Sequence, residues 1–315
     1  MTYLLAMALC VQAQTPPAPP QPSPPPDTEI YLAALTEIDG KVTLGPPSNV
    51  SDSPGYDNQP SFTADGQGIL FTSVRGGRKP DPKNSAASGS DIYRYDIKAR
   101  RIEQVTDTAE SEYSPTVTPD GRHISVIRVE ADGTQRLWQF TMSGQSPELV
   151  LSEIKPVGYH AWAGEDTLVL FVLGQPATLQ VADKKSGKAE AVVGGIGRSI
   201  QRMPDGGISF VRRQTTAGPA PGDTPLTRLV VERLDPKTRT TTVLVAVPDG
   251  STEADLVWTP GGTLLMAHKG QLLGWRRGDS GLQPVADLEA LGLKGASRMA
   301  VSPNGALIAI VAQKP

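Results

Sequence analysis

The sequence predicts an all-β protein, a six-bladed β-propeller whose ring is closed by N-terminal strands completing the C-terminal blade. Three observations predict it. Short runs rich in Val, Ile, Leu and Thr alternate with Gly, Pro, Asp and Asn turns, and 32 Gly and 29 Pro occur without collagen periodicity. One hairpin signature recurs along the chain, with turns centred at Asp65, Asp120, Glu165, Asp205, Gly261 and Asn304, 40 to 56 residues apart. That period is the length of a four-stranded blade. Finally, the last copy lacks its outer strands, while a spare hairpin stands at the other end.

In chain order, residues 1–13 read as an export signal. Leu4 to Val11 is a short apolar run, Val11 and Ala13 are small where a signal peptidase cuts, and the basic leading segment is missing. Cys10, the only cysteine, would leave with it, so the mature chain is expected to carry no disulfide or thiol chemistry. Residues 14–26 contain TPPAPPQPSPPP, a proline-rich spacer that favours an extended chain. Residues 27–315 are the expected propeller. The spare hairpin comes first: TEIYLAAL, the turn Asp39-Gly40, then KVTLG.

The clearest repeats are QPSFTADGQGILFTS from Gln59, SPTVTPDGRHISVIR from Ser114 and RMAVSPNGALIAIVA from Arg298. Each is an extended stretch, an Asp-Gly or Asn-Gly turn whose residues tolerate positive φ, and a second hydrophobic strand. Weaker copies start at Tyr159, Ile200 and Leu256. An outer hairpin follows every copy but the last, for example DIYRYDIKARRIEQVTD after the first. Joining the two chain ends leaves no exposed sheet edge. Ala286 to Leu291 is the best helical candidate.

These repeats resemble the TolB-like propeller repeat of bacterial envelope proteins, with its Pro-x-Phe/Val-Ser/Thr-Pro-Asp-Gly core. Pro60 to Gly66 and Pro115 to Gly121 carry the resemblance most fully, whereas Gly164-Glu165-Asp166 and Gly261-Gly262 depart from it. The likeness covers the propeller only, without the N-terminal α/β domain of TolB. It implies a periplasmic or secreted protein and an envelope protein or glycan as partner, without implying a role in TolB's own trans-envelope system.

Chemistry is sparse. Gly278-Asp279-Ser280-Gly281 matches a serine-protease motif in letters, yet no histidine segment accompanies it, and it falls in an outer turn. No nucleophile elbow, Walker loop, His-Glu-x-x-His or calcium loop is present. The three histidines, His123, His160 and His268, fall at unrelated blade positions, so no metal, cofactor or catalytic residue is assigned. A net charge of −3 without a basic stripe speaks against nucleic acid, and no run reaches a membrane span. A monomer is expected.

The expected site is the channel mouth at the starts of the innermost strands. Aligning the repeats on their turns puts Gln59, Tyr159, Asp255 and Arg298 at one level, with Asn58, Tyr113 and Arg198 a step outward and Asp57 and Glu112 beyond. His160 stands beside Tyr159. Trp162 and Trp258 share the repeat position of Phe62 and Val117, which assigns them to the core between blades, and Arg128 and Arg212 share a place suited to ion pairs. The function expected is therefore a non-enzymatic binding or scaffold propeller. The alternative is an enzyme of the funnel, a polysaccharide lyase or glycan hydrolase. Lyases acting on sugar acids are similar propellers that hold a metal among histidine and glutamine, and His160, Gln59, Glu112 and Asp255 are the residues that could play that part. Two long connections, Gly76 to Ser90 and Gln214 to Pro225, rise on the same side, and their Gly, Ser and Pro content suits an arm that orders on binding.

Overall fold

The computed structural model describes residues 26–76, 89–216 and 226–314. The expected signal peptide, most of the spacer and most of the two long connections lie outside them. Six antiparallel sheets form a ring, and the described residues contain no helix. Blade 1 runs from Asp57–Phe62 through Gly68–Ser73 and Asp91–Asp96 to Arg101–Gln104. Blades 2 to 5 repeat the plan from innermost strands Ser111–Val117, Val157–Trp162, Ile196–Arg202 and Leu256–Trp258. Blade 6 is composite: Met299–Val301 and Leu307–Gln313 pair onward to Thr28–Ile38 and Lys41–Leu44. The ring is closed as the sequence predicts.

The recurrent turn explains itself. Thr63 Oγ1 donates to Asp65 Oδ1 (2.6 Å) and accepts from the Gly68 amide (2.9 Å), while Asp65 Oδ1 accepts the Gln67 amide (3.0 Å). Thr118 and Asp120 do the same in blade 2, Ser302 and Asn304 in blade 6. A hydroxyl two residues before an Asp or Asn thus satisfies a tight turn from side chains alone. At the outer turn of blade 2, a Cβ on Gly144 would stand 1.7 Å from the Val105 carbonyl oxygen of blade 1, at a φ of +76°. Only glycine permits that approach.

The core is distributed, with one apolar cluster between each pair of neighbouring blades. The period of two makes this possible, because each blade buries both faces. In Thr28–Ile38, Tyr31, Ala33 and Leu35 pack toward blade 5, whereas Ile30 and Leu32 pack toward blade 1. Buried side chains such as Leu70, Leu168 and Phe210 contribute about 1.5–3 kcal/mol each. Glu29, fully buried, joins the chain ends: it accepts from Ser51 Oγ (2.5 Å) and lies 3.1 Å from Lys314 Nζ.

Ala286 to Leu291 is corrected. Gln283–Asp287 is the outer strand of blade 5, with Ala286 opposite Leu272, and a turn follows in which Ala290 N donates to Asp287 Oδ1. Strand pairing and burial of Leu288 and Leu293 between blades 5 and 6 override a short helical preference. Among the described residues no helix is long and apolar enough to cross a membrane.

Candidate functional site at the central channel

The six innermost strands enclose a channel of about 400 Å³. One end, the loop face, carries the starts of these strands; the other, the turn face, carries the Asp-Gly turns. Four of the strands reach the channel through irregular pairing, shifting between Asn58 and Ser61, Tyr113 and Thr116, Val157 and Tyr159, and Ile196 and Ile200. Gln59 and Ser114 take left-handed φ values of 57° and 53° at these bulges. A bulge re-aims the side chains beside it. Gln59 Oε1 consequently accepts both the Ser114 amide (2.8 Å) and Thr72 Oγ1 (2.9 Å), tying blade 1 to blade 2.

Toward the loop face the channel meets a polar layer built on Arg298 of blade 6. Its Nη1 donates to Asn58 Oδ1 (3.0 Å) and Tyr56 Oη (3.2 Å) of blade 1, and its Nη2 to Tyr159 Oη (2.7 Å) of blade 3. Its guanidinium also lies 5.3 Å from the Tyr159 ring centre, a cation–π distance. Blades 3 and 6 are opposite in a ring of six, so this one side chain spans the channel. Asp255 stands 3.8 Å from Arg298 Nε and accepts two hydrogen bonds from Arg198, at 2.8 and 3.3 Å. Arg198 also pairs with Glu253 at 2.8 Å. Burial pushes the Tyr56 phenol up, so it remains a neutral acceptor for Arg298. From this layer the channel continues to Pro119 and Pro303 at the turn face.

Of the residues expected at the site, Gln59, Tyr159, Arg198, Asp255 and Arg298 line the channel, and Asn58 joins them through Arg298. His160 lines its wall, but its ring is directed into the seam between blades 2 and 3, where Nε2 is 2.7 Å from Ser125 Oγ. The same hydroxyl accepts Trp162 Nε1–H (2.9 Å) and donates to the Thr116 carbonyl (3.1 Å). With its one proton so committed, Ser125 is best satisfied as acceptor from a protonated Nε2, which assigns the tautomer and leaves Nδ1 as a bare, buried lone pair. Burial pushes the imidazole down to about 4, so it is neutral at ordinary pH.

Three expected residues are absent from the channel lining. Asp57 is buried against Arg75 (2.9 Å), and burial raises its carboxyl. Glu112 is fully buried between Arg128 Nε (3.0 Å) and Thr108 Oγ1 (2.5 Å); burial pushes it up to about 7 against the pull of these partners. Tyr113 packs on the apolar cluster between blades 2 and 3. Asp57 and Glu112 share a reason: each lies two residues before the bulge, where strand alternation turns the carboxylate toward an arginine on the second strand (Arg128) or just beyond it (Arg75). Arg75 and Arg128 lie over aromatic rings, Phe71 at 5.1 Å and Trp138 at 4.8 Å, and Arg212 meets Glu232 at 3.5 Å in blade 4. Arg128 and Arg212 make the ion pairs expected of them.

Sequence reasoning passed over Arg202, which lines the channel toward the turn face and is exposed. Its signal is a departure within the repeat: the equivalent positions hold Phe62, Val117, Trp162, Trp258 and Val301. Ser125 and Ser209 were also missed, since a lone serine in an apolar strand announces nothing. Trp162 and Trp258 do belong between blades, each donating its indole N–H to one of them. Among the described residues no three His, Cys, Asp or Glu side chains gather in a way that could hold a metal. Ser280 lies in an outer turn at which Arg276 N donates to Asp279 Oδ2.

No protein-family profile matches the chain, and no curated protein matches it. Solved structures do. A protein assigned as TolB from Agrobacterium tumefaciens superposes with a TM-score of 0.64 at 15% identity, covering 91% of this chain and 99% of that one. TolB from Acinetobacter baumannii gives 0.55 at 14%, covering 90% and 64%. An oligogalacturonate lyase in complex with manganese gives 0.54 at 12%, covering 85% and 80%. At such identities the likeness is one of fold.

Proposed function

We propose that this TolB-like six-bladed propeller is a non-enzymatic binding or scaffold module of the bacterial envelope, periplasmic or secreted, that takes a ligand or protein partner at its channel. The observation that supports this most is the polar layer itself. All six blades contribute to one polar set around Arg298, Asp255 and Gln59, linked by hydrogen bonds and by the Asp255–Arg298 ion pair, at the place where a ring of repeats converges. Repeated scaffolds place their variable, recognising side chains at such points of convergence. The titratable groups nearby suit recognition rather than proton transfer: Asp255 is held by two arginines and His160 is buried and neutral. The proposed contact set is Gln59, Asn58, Tyr159, Arg198, Asp255 and Arg298.

The test is capture from a bacterial envelope extract, comparing the chain with Arg298→Ala and Tyr159→Phe. Capture should fall at least tenfold in both and persist in Arg122→Ala and Asn304→Ala, which lie outside the channel. If the second pair abolishes capture and the first does not, the binding surface lies elsewhere. A second reading, a funnel enzyme acting on a glycan, is favoured by the fold shared with a lyase. A stoichiometric divalent ion in the purified protein, together with turnover of an acidic glycan, would move the assignment to that reading.

A further inference from the structure

The polar layer and the rest of the channel differ in charge and access. At the loop face Arg298 bridges blades 1, 3 and 6, while Arg198 and Asp255 fill the gap between blades 4 and 5. In this layer Arg298 is 16% exposed and Asp255 12%, while Arg198 is 32% exposed and pairs outward with Glu253. The channel thus has this layer across its loop-face end and opens at the turn face, where the lining residues Pro119, Arg202 and Pro303 are exposed.

Its lining carries Arg198, Arg202 and Arg298 against one carboxylate, Asp255, in a chain whose net charge is −3. The positive excess is thus local. Arg198 and Arg298 both spend charge on Asp255, but Arg202 makes no ion pair with a described residue. The repeat explains why it is free. Trp162 and Trp258, at the equivalent positions, donate to Ser125 and Ser209 of the preceding blade. By strand register the corresponding residue before Arg202 is Val169, which offers no acceptor. A cation that cannot be satisfied by the wall stands at the rim of a concave site with low-dielectric sides. Such a site concentrates its field toward an incoming anion. A guanidinium further favours a planar, two-oxygen partner.

We propose that the channel is a carboxylate-binding well entered from the turn face, with Arg202 as the residue that engages the ligand. The proposal rests on the reading of the channel as a binding site, and adds ligand class and direction of approach. The carboxylate belongs either to a free small acid or to an acidic peptide segment. Titration calorimetry separates these, using citrate, an end-blocked oligoglutamate and an oligoglutamine of equal length. Binding of citrate alone identifies a free acid; preference for oligoglutamate identifies a segment; both support the well. Arg202→Glu should weaken binding at least tenfold and Arg202→Lys less, with the melting temperature unchanged in both because Arg202 makes no ion pair. Arg122→Glu makes the same charge change on the same face outside the channel and should leave affinity within twofold.

Equal binding of oligoglutamine, full affinity in Arg202→Glu, or no binding of either anionic probe would overturn the proposal. In each case partner capture sensitive to Arg298→Ala would still stand by itself, so the two readings fail separately.

Discussion

Glu112 and His160 are buried on either side of the second blade and respond to acid in opposite senses. The Glu112 carboxyl titrates near 7 when folded, against 4.5 ordinarily. Between those values the folded state holds the extra proton, so stability falls as pH rises. His160 titrates near 4 when folded, against 6.5 ordinarily. There the unfolded state holds the extra proton, and stability rises with pH. Each shift is worth about 3 kcal/mol, so the two largely cancel from pH 4.5 to 6.5. Glu112→Gln should remove the falling limb and make stability climb over that range, whereas His160→Leu should make it decline. Urea denaturation at pH 4.5, 5.5 and 6.5 reads both slopes, and a Glu112→Gln profile parallel to the parent would refute the account. The serines allow a second comparison. Ser125→Ala strands Trp162 and His160, while Ser209→Ala strands Trp258 alone. At about 1–3 kcal/mol for each buried group left unmade, the first should cost roughly twice the second.

Among the strands, Thr28–Ile38 carries the heaviest structural duty. It pairs with Leu307–Gln313 over seven residues, packs on both neighbouring blades and sets Glu29 beside Lys314. Removing residues 27–45 leaves blade 6 with two strands and bares the edge of Leu307–Gln313. The truncated chain should melt at lower temperature and self-associate, as exposed edges do. Calorimetry with light scattering measures both; a monomer with unchanged melting would show that ring closure contributes little. The bulges at Gln59 and Ser114 matter differently. In blades 1 and 2 they turn the inner strand so that the residues from Gln59 and Ser114 onward line the channel while Asp57 and Glu112 serve the seams.

Across the whole molecule, stability is spread over six similar interfaces, and the closing strand removes any free end from which unfolding could start. A single unfolding transition is expected, with coincident midpoints by circular dichroism and tryptophan fluorescence. The far-ultraviolet spectrum should be of strand type without a helical double minimum. Separate transitions for the two probes would indicate blades that unfold independently. Arg298 adds a link between opposite blades that no neighbour-to-neighbour contact supplies.

The blade count, the turns and the composite sixth blade were legible in the residues, because each is written locally. A hydroxyl, an Asp or Asn and a Gly make the turn, period-two runs make the strands, and an unmatched hairpin at each end demands closure. The level of Gln59, Tyr159, Asp255 and Arg298 was legible too, since repeats align on their turns. The fates of Asp57 and Glu112 were not, because a one-residue bulge reverses which side of a strand meets the channel. Nor was the layer across the loop-face end, where Arg298 meets Tyr159 across 139 residues and Asn58 across 240. Local rules determined what each blade is. Only the closed ring decided which side chains face one another across its centre, because distances there depend on the radius and tilt that all six interfaces set together.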